Sequence, residues 1–427
     1  MDARRLRRPA YPAAALLLVI SLVFSLVPDT TAVETQPDAA TAALDWLRAG
    51  QLDNGAFPGF TGEADPGTTA DVVIALAAAG LDPATVTSPA GNDPVSYLTG
   101  LAESAAADPG AAARLVLALH AARGDAFNPR DLNGVDLIDA IAGSYDAETG
   151  MYGPGIYVSA YAILALRAAG EPVEPGAVQK LLDTQIEDGS WNFNADTTPG
   201  AGDSNTTAIV VQALVAAGAG TGAINAGLDY LATLQAEDGS IAYDASENPL
   251  VGDANSTASA IGAYIAAGRD PSAMPNGDAV AALASFQQPS GALTWRKDAP
   301  DENVLATVQA VPSLLGWALP VAPLGAMPAP APSQAEALQP ATGLGLDGCL
   351  YFVETFHNLC GPFAQYWLAN GGLKIFGYPL TEPYMENGVA VQYFERTRFE
   401  HHPGAWPENF DILQGRLGAE QLGLGGD

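Results

Sequence analysis

Three short segments share one pattern of polar side chains: Asp65-Pro-Gly-Thr-Thr-Ala70, Asp203-Ser-Asn-Thr-Thr-Ala208 and Asp253-Ala-Asn-Ser-Thr-Ala258. Each places a carboxylate, then a glycine or amide, then hydroxyls directly before an apolar run. Two kinds of chemistry follow from that order. At a helix start, Asp, Asn, Ser and Thr accept hydrogen bonds from the unpaired amides of the first turn. Several such starts gathered at one mouth make a polar surface for a ligand, which nominates Asp65, Thr68, Asp203, Asn205, Thr206, Asp253, Asn255 and Ser256. Aromatic residues follow the glycine turns upstream of these segments. Tyr152, Trp191 and Tyr243 are therefore candidates to pack over the turns or to stack on sugars.

Other reactive types are sparse. The only histidine before residue 318, His120, sits in the apolar run Leu115–Ala122 and reads as a core or rim residue rather than a metal ligand. The acidic loops Asn194–Asp203 and Asp244–Asp253 raise the question of calcium, but their spacing does not match an EF-hand loop. No catalytic residue and no metal site are expected.

The elements that position these side chains are repeats. Ala-rich apolar runs end at Gly80, Gly124, Gly170, Gly218 and Gly268, at intervals rising from 44 to 50 residues. Sliding Leu181–Gly218 by fifty positions onto Leu231–Gly268 gives 17 identities in 38 without a gap. These include Gln185/Gln235, Asp188-Gly-Ser190/Asp238-Gly-Ser240 and Asp203/Asp253, so turns and helix ends are repeated as well as apolar runs. Periods of this size mark repeat architectures. Within each unit an amphipathic helix, half exposed, ends at a glycine turn, and a second helix follows that is apolar nearly all round. Such a second helix must be buried on every side. First-helix signals occur at Ala43–Gly55, weakly at Val95–Ser104, and at Asp136–Gly150, Val178–Gly189, Gly227–Gly239 and Val280–Gly291. Six hairpins, with inner helices sheathed by outer ones, are expected to close into a twelve-helix ring. Its last inner helix, Asn303–Leu315, contains Pro312.

Composition bounds the rest. Arg4, Arg5, Arg7 and Arg8, the apolar stretch Ala13–Val27 and Thr30-Thr-Ala32 read as a secretory signal peptide over 1–32. Its removal takes the net charge from −31 to −33, which argues against nucleic acid and anionic lipid as partners. No later run is long enough to span a membrane, so a secreted or surface-associated protein is expected. Its two cysteines, Cys349 and Cys360, then read as one local disulfide. The organisation expected is a ring over 33–317, a Pro/Ala-rich linker over 318–345, a small aromatic-rich α+β module over 346–418 and a tail over 419–427.

The turns Gln185-Ile-Glu-Asp-Gly-Ser-Trp191, Gln235-Ala-Glu-Asp-Gly-Ser240, Gln51-Leu-Asp-Asn-Gly55 and Gln287-Gln-Pro-Ser-Gly291 resemble the prenyltransferase and squalene oxidase repeat. That resemblance covers about residues 37–318. It implies a mainly α fold, the α/α toroid of terpene cyclases, protein prenyltransferase β subunits and cobalamin carriers such as transcobalamin. It is specific for fold and weaker for activity. The three polar segments are similar to the Asp-x-Asp-Asp-Thr-Ala motif of class II terpene cyclases, whose middle Asp donates a proton. Asn205, Asn255 and Gly67 stand at that position and donate none. The zinc ligands of the prenyltransferases are absent as well.

The resemblance thus implies a secreted or cell-surface binding protein without catalysis, taking a small ligand such as a corrinoid, or a surface glycan. No cofactor is expected; cobalamin and calcium remain open. The alternative is a terpene cyclase- or prenyltransferase-like enzyme acting on a polyprenyl substrate. A third reading is sugar cleavage by two carboxylates across a cleft.

In the C-terminal segment, Gly361–Ala369 reads as a short helix, Val389–Glu400 as a strand and Asn387-Gly388 as a hairpin signal. It resembles modules appended to bacterial surface proteins and, more loosely, LGFP repeats.

Overall fold

The computed structural model describes residues 35–321, 349–352, 355, 357–386, 389–402, 406 and 409–415. The expected leader, nearly all of the linker and the tail lie outside them. The helices come in pairs: α1 (Pro37–Ala49) and α2 (Pro66–Ala78); α3 (Pro94–Thr99) with α4 (Ala102–Ala105), and α5 (Pro109–Arg123); α6 (Leu137–Ala142) and α7 (Gly155–Ala168). The series continues with α8 (Pro175–Asp183) and α9 (Ser204–Ala216), α10 (Thr221–Thr233) and α11 (Ala254–Ala266), and α12 (Ala279–Ala284) and α13 (Val304–Leu314). The second helix of each pair packs on the second helix of the next, and α13 packs on α2. An inner ring is thereby closed. The outer helices α3, α6, α8, α10 and α12 each pack chiefly on the inner helix of the pair before, and α1 does the same for α13. This is an α/α toroid of six hairpins, with one outer position split between α3 and α4.

Local chemistry explains the regularity. Inner helices are apolar on nearly all sides, and α9 is buried without a break from Thr206 to Leu214. Asp65, Asp108, Asp203 and Asp253 cap α2, α5, α9 and α11, their side chains accepting from Thr68, Ala111, Thr206 and Ser256 amides at 2.6–2.8 Å. A cap of this kind is worth about 1 kcal/mol. The Thr of each Thr-Ala pair is buried and fastens the incoming loop. Thr69, Thr207 and Thr257 hydroxyls accept from the Phe57, Trp191 and Ile241 amides at 2.9–3.0 Å. At the other end, Gly80, Gly170, Gly218 and Gly268 adopt φ of +66 to +74°, and the next residue's amide reaches back to the helix, as Ala219 N does to Leu214 O at 3.0 Å. That left-handed stop suits glycine. Gly124 departs from the pattern with ψ near −131°.

The repeated glutamines tie neighbouring hairpins together. Gln185 Nε2 donates to Gly189 O in its own turn and to Ala223 O in α10, both at 2.9 Å. Gln235 repeats this toward Gly277 O, also at 2.9 Å. Gln287 donates to Gly291 O at 2.8 Å and to Ala39 O in α1 at 2.7 Å. The last repeat thus joins the first through the same device. Short strand pairs, β1 (Tyr145–Asp146) with β2 (Met151–Tyr152) and β3 (Thr294–Arg296) with β4 (Ala299–Glu302), decorate two of the loops.

The C-terminal residues form a small α+β module. β5 (Cys349–Phe352) pairs with β6 (His357–Cys360), bringing Cys349 opposite Cys360, and the two are disulfide-bonded. Helices α14 (Gly361–Ala369) and α15 (Gly372–Phe376) follow, then β7 (Tyr384–Glu386), β8 (Val389–Tyr393), β9 (Arg398–His401) and β10 (Ile412–Gln414) in a sheet of order β10-β9-β8-β7. The strand expected over 389–400 is two strands, because Phe394 N donates to Thr397 O at 2.8 Å and turns the chain. Asn387 and Gly388 lie outside the described residues. The core of this module is aromatic: the Phe399 ring lies 4.4 Å from Phe394, 4.9 Å from Phe376 and 5.0 Å from Tyr366.

Candidate functional site

The inner ring encloses a cavity of about 390 Å³. Near the helix starts it is lined by Asn205 of α9, Asn255 and Ser256 of α11 and Leu305 of α13, with Tyr243 and Trp295 from the loops. The Tyr243 loop is held by a helix start, since Ser204 N donates to Tyr243 O at 2.8 Å, and the Phe193 loop is held likewise by Ile156 N at 3.1 Å. At the far end Trp317, Ala318 and Leu319 enter the ring, and Leu319 N donates to Gln212 Oε1 at 2.8 Å. The segment following α13 therefore floors the cavity.

Of the residues nominated from sequence, Asn205, Asp253, Asn255 and Ser256 meet on this cavity. Asn205 Oδ1 is buried without a hydrogen-bond partner, while Asn255 Nδ2 donates to Gln309 Oε1 at 2.8 Å. Asp253 is occupied as a cap: one oxygen accepts from Ser256 N and the other from Ser256 Oγ, both at 2.8 Å. Asp65, Thr68, Asp203 and Thr206 do not line the cavity; they build helix starts, and Thr206 is 1% exposed. Burial raises the carboxyls of Asp203 and Asp253 above the ordinary aspartate range, against the hydrogen bonds from their capped amides, which lower them.

The aromatic candidates divide. Tyr152 and Trp191 are 1% and 0% exposed and present no face to a ligand, a correction to the stacking role. Both are locked by hydrogen bonds, Tyr152 OH accepting from Glu174 N at 2.8 Å and Trp191 Nε1 donating to Leu181 O at 2.6 Å. Tyr243 is 50% exposed at the mouth. Phe193 and Trp295, which sequence reasoning passed over, are each 46% exposed beside corresponding helix starts. Burial raises the Tyr243 phenol, and the nearby Asp203, Asp244 and Asp253 charges add to the shift.

A charged pair in the wall also escaped the sequence reading. Asp71 of α2 lies 3.5 Å from the Arg114 guanidinium of α5, with side chains 14% and 27% exposed. Arg114 rests 5.2 Å above the Tyr161 ring, and Tyr161 stands 5.2 Å from Tyr157, which in turn meets Phe193 at 5.5 Å. Burial raises the Asp71 carboxyl above the usual aspartate range; Arg114 opposes the shift and Asp65 adds to it. The Asp71 charge in turn keeps Arg114 firmly protonated. A signal was present, since Asp71 and Arg114 are charges set amid the buried apolar stretches of α2 and α5. Among the described residues no three Asp, Glu, His or Cys side chains form a cation site.

No protein-family model matches the sequence, and no curated protein does. Among solved structures the chain is similar to type II terpene cyclase MstE from Scytonema in complex with geranylgeranyl dihydroxybenzoate. The two are 18% identical over 65% of this chain and 96% of that one, with a TM-score of 0.48. It is similar to haptocorrin in complex with Cbi at 16% identity, covering 67% and 69%, with a TM-score of 0.46. An unsaturated glucuronyl hydrolase specific for heparin is similar at 13% identity, covering 66% and 96%, with a TM-score of 0.49. The ring architecture itself stands on the closure of α13 onto α2.

Proposed function

We propose that this is a secreted binding protein that holds a small ligand in the axial cavity of its toroid. The observation that supports this most is the mouth, where the unpaired Asn205 amide oxygen, Asn255 and Ser256 stand beside the exposed faces of Tyr243 and Trp295. A cavity of about 390 Å³ with apolar walls and a few convergent polar groups has the size and lining of small-molecule sites. The Cys349–Cys360 disulfide fits an oxidising compartment, and no helix among the described residues is long and apolar enough to cross a membrane. The ligand classes to test are corrinoids, glycans and polyprenyl compounds, by thermal shift and then calorimetry. Binding of one class that Ser259→Trp abolishes, by filling the cavity wall, is the expected result. Turnover of a polyprenyl substrate overturns the binding reading.

Asp71 supports a second reading. A carboxyl held in a cavity wall beside Tyr157 and Tyr161, raised by burial above the usual aspartate range, has the placement of a general acid. In that case the enzyme alternative, acting on a polyprenyl substrate, replaces the lost motif acid with a residue on α2. Sugar cleavage gains less, because the other carboxylate of the cavity, Asp253, is committed to its cap.

A further inference from the structure

A second cavity, of about 460 Å³, opens on the other side of the Asp71–Arg114 pair, between α2, α5, α7 and the outer α3 and α4. Asp71 lines the axial cavity and Arg114 this one, while Tyr157 and Tyr161 line both. The side cavity is otherwise chiefly apolar, walled by Ala70, Leu98, Leu101, Ala105, Leu115 and Val158.

The guanidinium in it has its carboxylate partner at a longer distance than Arg130 has Glu171 or Arg296 has Glu247, and it also engages Tyr161. Elsewhere in the ring Arg130 grips Glu171 through two bonds of 2.7 Å, and Arg296 reaches Glu247 at 2.9 Å. Arg114 stays 3.5 Å from Asp71 Oδ2 and spends one face on Tyr161. Charge-assisted bonds run at about 2.7–2.9 Å. A fork of donors matched to carboxylate and phosphate is thus left in an apolar setting without close oxygen contact to its carboxylate. Glycines keep the approach to it open. A methyl at Gly67 would stand 3.2 Å from Arg114 Nη1, and Gly110 borders the same cavity.

We propose that the side cavity binds an apolar chain bearing one anionic head group, carboxylate or phosphate, gripped by Arg114. Asp71 and the head group compete for a single guanidinium, so protonating Asp71 frees Arg114 and binding tightens as pH falls. The charged groups that act on Asp71 are Arg114 from α5 and Asp65 from the start of α2, and the Tyr157 and Tyr161 phenols of α7 face Arg114. The inference is independent of the occupant of the axial cavity.

Calorimetric titration of the full chain with decanoate, decyl phosphate and decanol tests it, over a pH series starting at pH 8, the pH dependence being read with decanoate because the phosphate's own second proton titrates at about pH 6. The anions are expected to bind at least about tenfold more tightly than decanol, the worth of a charge-assisted bond. The tighter of the two anions identifies the head group. Arg114→Met should lose that factor and leave decanol unchanged, and Asp71→Asn should bind the anions more tightly at pH 8 and flatten the pH dependence. Equal affinity for decanol and the anions, or anion binding that survives Arg114→Met, overturns the proposal, as does failure of both anions to bind. Should Arg114→Met not fold, Ser104→Trp at the exposed edge of the cavity decides, because decanoate affinity unchanged by that plug places the ligand elsewhere.

Discussion

Replacing Trp191 with alanine separates an aromatic that recognises a ligand from one that holds the ring together. Its indole is 0% exposed, its Nε1 donates to Leu181 O at 2.6 Å, and its backbone amide is fastened to the Thr207 hydroxyl at 3.0 Å. The ring also occupies space that Gly227 leaves for it, since a methyl there would lie 3.0 Å from the indole. Removing a buried Trp costs about 3–5 kcal/mol through lost contacts and the cavity left behind. The Leu181 carbonyl, left with only the Thr184 hydroxyl at 3.3 Å, adds about 1 kcal/mol. A loss of about 4–6 kcal/mol is expected, against a total stability of about 5–15 kcal/mol for a folded domain. At about 2–4 °C per kcal/mol for a larger domain, the melting temperature should fall by roughly 10–20 °C. Guanidinium unfolding followed by far-UV circular dichroism measures it without relying on Trp fluorescence. Tyr243→Ala, at a side chain 50% exposed, should stay within about 0.5 kcal/mol of the parent while weakening ligand binding. The reasoning is refuted if Trp191→Ala costs less than about 1 kcal/mol and removes ligand binding instead.

Further outcomes follow from the same contacts. Gln287→Ala removes one hydrogen bond within the last turn and the one that joins that turn to α1, so a loss of about 1–3 kcal/mol is expected, with hydrogen exchange rising first along α1. Asp203→Asn keeps the cap, because Asn and Asp cap equally well. Burial raises the folded-state pKa of Asp203, so the folded protein binds that proton more tightly than the unfolded one and its stability falls as pH rises through that window. Asp203→Asn should therefore be more stable than the parent at neutral pH, and the gain should vanish below the ordinary aspartate pKa; a gain that persists at low pH contradicts it. Reducing Cys349–Cys360, which closes a loop of 11 residues, should cost the C-terminal module about 2–3 kcal/mol and leave the unfolding of the toroid in place, as limited proteolysis of each part would report.

The toroid was legible because its rules are local and repeated. A helix apolar on every side has to be inner, a capping Asp has to precede it and a left-handed glycine has to end it, and each of these can be read within about fifty residues of chain. Closure was legible in the count of six hairpins, and the structure adds that Gln287, matching Gln185 and Gln235, reaches α1. The site was less legible. Asp253, Asn255 and Ser256 were found because the repeat singled them out, and Asp203 and Thr206 were singled out by the same repeat although they face the core. Tyr152 and Trp191 follow the same glycine turns as Tyr243, and nothing in their spacing tells which ring is covered.

By itself, then, the amino-acid sequence determined what near-neighbour physics determines: where helices start and stop, which are buried, and how many hairpins the ring must hold. Tertiary structure alone decided which side chains from different repeats share a cavity. Asp71 and Arg114 are 43 residues apart and belong to no shared motif. They meet because α2 and α5 are adjacent in the closed ring, where burial makes each charge depend on the other.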